Sequence, residues 1–132
     1  MRAVGRNGRK RLVVGIGTDI MKIARFEGMT PHFIQRVFTP DERAYLLNKT
    51  AASAAGLFAA KEAVAKALGT GFRGFFPSDI EIWHDAWGKP RVKLHNKAKK
   101  IARKLARGRY RVHVSISHTD TDALAFAVVT KG

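Results

Sequence analysis

The sequence predicts a single α+β domain in which an antiparallel sheet packs against one long alanine-rich helix and several shorter ones. Three observations carry this. The chain has 132 residues, 45% of them apolar, which is enough for one core and too little for two. Residues 51–68 are dominated by alanine and other strong helix formers. Around them stand segments with the β-branched content or two-residue alternation of strands, at 12–20, 79–84, 91–95, 110–117 and 122–130.

Leu12-Val-Val-Gly-Ile-Gly-Thr-Asp19-Ile20 reads as a buried strand that delivers Asp19 at its end to a surface. From Met21 to Gln35, Gly28 and Pro31 interrupt the pattern, so short helical turns are expected. Thr39-Pro40-Asp41-Glu42 is a capping box with proline at the first helical position. The threonine hydroxyl accepts the amide of residue 42 while Glu42 reaches back, and a helix follows to Leu47. The long helix from Ala51 to Leu68 stops at Gly69, a natural left-handed position. Leu57, Val64 and Leu68 fall on one stripe, whereas Phe58, Glu62 and Lys66 form a different i, i+4 row, so one side packs and another carries charge.

Asp79–His84 and Arg91–His95 make a hairpin around Asp85–Pro90, with Ile80, Ile82, Val92 and Leu94 on its buried face. Asn96 caps a helix from Lys97 to Arg107, closed by Gly108. Tyr110 to Ser117 alternates: Tyr110, Val112, Val114 and Ile116 share one face, Arg111, His113, Ser115 and Ser117 the other. The last strand, Asp122 to Thr130, is apolar on both faces, as in a strand that pairs centrally or packs against another subunit.

Lys plus Arg number 25 against 10 Asp plus Glu, a formal charge of +15 that selects anionic partners without specifying chemistry. The absence of cysteine excludes a disulfide framework, an iron–sulfur cluster and a Cys-ligated zinc, so any metal is held by oxygen or imidazole. No apolar run is long enough for a membrane span and the start lacks a secretory signal, so a soluble cytoplasmic protein is expected. Residues 1–11, with Arg2, Arg6, Arg9, Lys10 and Arg11, are read as a flexible basic arm, and 12–132 as the domain.

Asp19 and Glu62 are distant in sequence; brought together they would make an oxygen site suited to Mg²⁺ bridging phosphates. Taken singly, Asp19 caps a turn and Glu62 pairs with Lys66 across one helical turn, a contact contributing about 0.3–0.5 kcal/mol. Gly69-Thr70-Gly71 brings backbone amides towards a phosphate but lacks the order of a P-loop, and serves equally as a helix stop. Ser115-Ile-Ser117-His118 offers hydroxyls and an imidazole, yet neighbouring strand residues face opposite ways, which argues against a hydrolase triad. His32, His84, His95 and His113 have no ligand spacing and read as surface or sheet residues. The stretch Lys97–Arg111 carries eight cations in fifteen residues and no acid, a recognition surface for phosphate or for an acidic protein.

In order and spacing these pieces resemble one family, the holo-acyl-carrier-protein synthases, which are small single-domain 4′-phosphopantetheinyl transferases. The matching stretches are Gly15-Ile-Gly-Thr-Asp-Ile20 with Arg25 beyond it, Phe58-Ala-Ala-Lys-Glu-Ala-Val-Ala-Lys-Ala-Leu-Gly-Thr-Gly71, Gly88-Lys-Pro90 and Ser115-Ile-Ser-His118. The resemblance implies transfer of 4′-phosphopantetheine from coenzyme A to a serine of apo-acyl carrier protein, releasing adenosine 3′,5′-bisphosphate, in cytoplasmic fatty acid biosynthesis. It implies that Asp19 and Glu62 ligate Mg²⁺ and that Lys66, one turn on, reaches the same phosphates. Arg25, Lys66, Gly69, Thr70, Gly71 and His118 would contact coenzyme A. The acceptor of the serine proton stays open between Glu62 and a water on the metal. A homotrimer with coenzyme A between subunits is implied, as is an acidic carrier protein docking on Arg25 and the segment after Gly28, with Lys97–Arg111 as a further candidate surface.

The chain departs from the family pattern in two places. Leu57 stands where members commonly have arginine, and the basic start is longer than usual. A reading of a different class, a basic nucleic-acid-binding module, finds no recognised motif, and the twelve aromatics are not grouped as a stacking platform. Neither nucleic acid nor membrane is therefore expected among the partners. A catalytic piece of a larger synthase is a third reading.

Overall fold

The computed structural model describes residues 12–132; the expected basic arm at 1–11 lies outside the described residues. The order is β1 (Val13–Lys22), a 3-10 turn (Ile23–Phe26), α1 (Pro31–Val37), α2 (Pro40–Leu46), α3 (Ala51–Ala67) and a second 3-10 turn (Pro77–Asp79). Then follow β2 (Ile80–His84), β3 (Pro90–Leu94), α4 (Asn96–Ala106), β4 (Tyr110–His118) and β5 (Asp122–Lys131). Two antiparallel sheets form, a three-stranded one in the order β1-β5-β4 and the hairpin β2-β3.

Helix α3 crosses the inner face of the three-stranded sheet. The central strand lays Ala123, Ala125, Ala127 and Val129 against it, all fully buried, and the helix answers with Ala59, Ala60, Ala63 and Val64. Small side chains on both sides let helix and sheet approach closely. Larger anchors close the margins: Leu57, Val64, Leu68 and Ile80 are each at most 3% exposed, and burying such a side chain stabilises by about 1.5–3 kcal/mol. Phe58 completes a cluster with Phe26 and Phe33. Among the described residues no helix is long and apolar enough to cross a membrane.

Several expectations are met locally. The capping box at Thr39 forms with both of its hydrogen bonds, 3.2 Å from the Glu42 amide to Thr39 Oγ1 and 2.9 Å from the Thr39 amide to Glu42 Oε1. Leu57, Val64 and Leu68 are buried, and Gly69 takes φ +85° at the helix end. Others need correction. Strand β1 continues to Lys22, so Asp19 lies inside it, opposite Ala125; the inner Met21 is buried and Lys22 meets Asp122 at 3.3 Å, which extends the ladder past the polar residues. Asn96 does not cap α4. It adopts φ 53° and donates through Nδ2 to Asp79 Oδ1 at 2.8 Å, leaving His95 at the capping position without a side-chain capping bond. At the other end Arg107 is outside the helix in the left-handed conformation, φ 56°.

The apolar outer face expected of β5 is present. Leu124 and Phe126 are 45% and 47% exposed, and β1 sets Ile16 and Ile20 beside them, opposite Val128 and Leu124.

Candidate active site

The glycines of the first strand explain how Asp19 reaches the long helix. Residues 15, 17, 19 and 21 share the inner face of β1. A Cβ on Gly15 would lie 1.9 Å from the Ala67 carbonyl oxygen, and one on Gly17 would lie 2.1 Å from that of Ala63. Only glycine lets the strand rest directly on the α3 backbone there. The next inward side chain, Asp19, then comes up against the helix surface where Glu62 and Lys66 emerge one turn apart.

Lys66 spans the junction: Nζ donates to Asp19 Oδ1 at 3.0 Å and to the Thr18 carbonyl oxygen at 3.0 Å. The simple alternative of a Glu62–Lys66 pair along the helix is therefore not what forms; the lysine crosses to the strand instead. Asp19 Oδ2 is buried and has no hydrogen-bond partner. Burial, and after it the neighbouring charge of Asp19, holds the Glu62 carboxyl above the ordinary carboxylate range, opposed by Lys66 and Arg25. Two carboxylates thus lie within electrostatic reach of each other, one with a bare buried oxygen. That arrangement fits a hard divalent cation, which binds oxygen through one or two carboxylates and completes its shell with phosphate and water. Among the described residues no group of three or more acidic, histidine or cysteine side chains offers a fuller cage.

Arg25, on the turn after β1, lies within electrostatic reach of Glu62 and points Nη1 at Met21 Sδ, 3.4 Å away. The structure therefore brings Asp19, Glu62, Lys66 and Arg25 into one cluster. The amides of the glycine-threonine-glycine exit are already used: Gly69 donates to Lys66, and Thr70 and Gly71 both donate to the Ala65 carbonyl. This is a helix termination rather than an open phosphate cradle.

His118 is apart from the cluster. It stands at the end of β4, on the register row of Ala123 and Met21, about 10 Å across the sheet from β1. Its Nδ1 sits 3.0 Å from the Thr119 carbonyl oxygen, and Ser117 faces outward, so no nucleophilic serine–histidine pair forms there. Beside His118 a cleft opens at the start of α3, with Tyr45, Ser53, Gly56, His84 and Pro90 in its walls. Tyr45 and His84 stack in parallel, 4.4 Å between centroids, and His84 Nδ1 is buried without a partner. Burial, reinforced by the Lys49 charge, holds the His84 imidazole below its ordinary range. The sequence reading missed His84 here because only the stacking, not any spacing, marks it.

A second omission is Lys61, next to Glu62. It is fully buried, with Nζ 2.7 Å from Glu42 Oε1, 2.6 Å from the Ile80 carbonyl oxygen and 3.0 Å from that of Pro77. Glu42 also accepts the Ile82 amide at 2.7 Å. Burial pushes the Lys61 ammonium down and Glu42 opposes the shift. The expected charged side of α3 is thus split: Lys66 faces solvent while Lys61 locks the helix to α2 and β2.

Comparison with known proteins identifies the family. Residues 15–126 match the model of the 4′-phosphopantetheinyl transferase superfamily. The chain is 47% identical over 123 residues to the holo-[acyl-carrier-protein] synthase of Clostridium novyi, covering 89% of this chain and 88% of that protein. Among solved structures, the Plasmodium yoelii acyl carrier protein synthase with ADP bound superposes with a TM-score of 0.80 at 33% identity, covering 91% of this chain and 96% of that one. The Bacillus anthracis holo-(acyl-carrier-protein) synthase in complex with CoA (3′,5′-ADP) gives 0.77 at 34% identity, covering 92% and 100%. The chain belongs to the 4′-phosphopantetheinyl transferase superfamily as a holo-[acyl-carrier-protein] synthase, an enzyme that transfers phosphopantetheine from coenzyme A to acyl carrier protein.

Proposed function

We propose that Asp19 and Glu62 hold Mg²⁺ beside the diphosphate of coenzyme A, that Lys66 and Arg25 bind that diphosphate, and that a serine hydroxyl of apo-acyl carrier protein takes the phosphopantetheine, leaving adenosine 3′,5′-bisphosphate. The observation that carries this is the partnerless buried oxygen of Asp19, within electrostatic reach of the raised Glu62 carboxyl. When bound, the metal supplies positive charge to the diphosphate whose bond is broken.

The chain's own groups do the rest. Lys66 has three donors and uses two on Asp19 and Thr18, which orients its remaining proton towards the exposed side where a phosphate oxygen would sit. Arg25 adds a second cation with a planar fork suited to phosphate. The cleft beside His118 supports a seat for the nucleotide half, with His84 and His118 as the polar contacts. Leu57 is 2% exposed within the core, so residue 57 brings no cation to that seat. The glycine-threonine-glycine segment ends the helix and fixes the last turn that carries Lys66.

The apolar outer face formed by Ile16, Ile20, Leu124 and Phe126 supports a homotrimer, and the separation of the carboxylate cluster from the nucleotide cleft supports coenzyme A bound between copies. Arg25 and the segment after Gly28 would receive the acidic carrier protein.

The test mixes the protein with apo-acyl carrier protein, coenzyme A and Mg²⁺ and follows the phosphopantetheine adduct by mass spectrometry. Product is expected only with metal, is lost on chelation, and falls at least a hundredfold, about 2.7 kcal/mol, in Glu62→Gln. Undiminished product in that variant would remove Glu62 from the site. Light scattering on the same sample is expected to report three copies, and a monomer of full activity would refute the shared site.

A further inference from the structure

Against the expectation from the sequence, we propose that the end of the sheet farthest from Asp19 carries a surface for the phosphate backbone of single-stranded nucleic acid, built from Lys99, Arg103, Arg107, Arg109, Arg111 and Lys131. Two adjoining grooves define it. Arg107, Arg109, Arg111 and Lys131 line one; Lys99, Arg103, Arg109 and Arg111, with Tyr110, line the other. No acidic side chain lines either groove, and among the described residues none of these six cations forms an ion pair.

The fold collects these charges for identifiable reasons. Helix α4 buries Ala98, Ala102 and Ala106, which turns Lys99 and Arg103 outward one turn apart. The left-handed Arg107 then redirects the chain into β4, and Tyr110 and Arg111 pair with Lys131 and Thr130. The Gly132 amide donates to the Arg109 carbonyl at 2.9 Å, closing the group. Cations held within a Debye length of about 8 Å repel one another, and a polyanion laid along them removes that cost.

Three features select a nucleic-acid strand over an acidic protein. Each groove is lined by four cations and no acidic side chain, in keeping with the strongly positive character of nucleic-acid interfaces. Lys99 and Arg103 stand one helical turn apart and Arg109 and Arg111 two residues apart, a succession that a flexible strand of phosphates can follow. The surface also lies away from the carboxylate cluster of its own chain. Arg111 shares a register row with Thr130 and Val13, six residues along β1 from Asp19, or about 20 Å within one chain. With Tyr110 as the one aromatic among the groove residues, recognition is of backbone rather than sequence.

The experiment measures fluorescence anisotropy of a labelled oligo-uridine on the full chain between 50 and 200 mM salt. Six engaged cations predict a log–log salt slope of about −4. Replacing Arg107, Arg109 and Arg111 together by glutamine is expected to reduce the slope by about 2 and the affinity about a hundredfold at 0.1 M salt. The melting temperature should stay unchanged in that variant. A control that removes the same charge elsewhere, Arg36→Gln with Arg43→Gln and Lys49→Gln, should keep the RNA affinity. Equal loss in both variants would show a mere net-charge effect. That result, absence of binding at 50 mM salt, or tighter binding to anionic vesicles or to acyl carrier protein than to RNA would each overturn the proposal.

Discussion

Replacing Gly17 by alanine tests whether the contact of β1 with α3 is what assembles the site. The added Cβ would lie 2.1 Å from the Ala63 carbonyl oxygen and 2.8 Å from the Ala67 amide nitrogen, both backbone atoms of a helix buried on nearly all sides. A relaxed carbon–oxygen contact needs about 3.3 Å, so the strand must withdraw by about 1.2 Å or the helix must shift. Asp19, two residues on, is carried with it, and its 3.0 Å bond to Lys66 stretches beyond hydrogen-bond range. Misplacement of reacting groups by about 1 Å costs on the order of a hundredfold in rate. Overpacking costs a further 1–3 kcal/mol or so of stability, equivalent to about 4–10 °C in Tm for a domain of this size. The assay compares kcat for holo-carrier formation at a temperature well below the melting transition, with circular dichroism to confirm a native fold. A Gly17→Ala protein with unchanged kcat and Tm would refute the claim that this close approach sets the site geometry.

Two further outcomes concern the support behind the site. Lys61→Met leaves Glu42 charged and buried without its ammonium, and urea unfolding should show a loss of about 3–5 kcal/mol. Adding Glu42→Leu should recover part of it, because both desolvation costs then vanish; a single-variant loss below about 1 kcal/mol would mean that the pair behaves like a surface contact. At Glu81, burial alone would raise the carboxyl, but hydrogen bonds from His95 and Thr39 outweigh it and lower the pKa. A depressed folded pKa gives stability that is present above the ordinary carboxylate pKa and is lost as pH falls through the lower folded value. The melting temperature should therefore drop between about pH 5 and pH 3, and less steeply in Glu81→Gln; identical pH profiles would exclude Glu81 as a contributor.

Local chemistry made much of the molecule legible in advance. The Thr39 box, the alanine-rich helix with its glycine stop, the hairpin and the alternating β4 each depend on residues a few positions apart, and such signals survive folding because their partners are already neighbours along the chain. Errors arose where a distant partner outbid the local one. Asn96 had the composition of a cap and was taken by Asp79; Lys66 stood one turn from Glu62 and was taken by Asp19. Lys61 looked like one more charge on a helix until α2 and β2 closed over it.

Residue type and short spacing were enough for the elements, the absence of thiol chemistry, the cationic balance and the motifs that mark the family. The tertiary structure decided that two glycines seat a strand on a helix backbone, that Asp19 keeps one buried oxygen without a partner, and that scattered arginines share a pair of grooves. Those facts depend on which surfaces meet, and a meeting between residues forty or more positions apart leaves no periodic trace in the chain that a reader could follow.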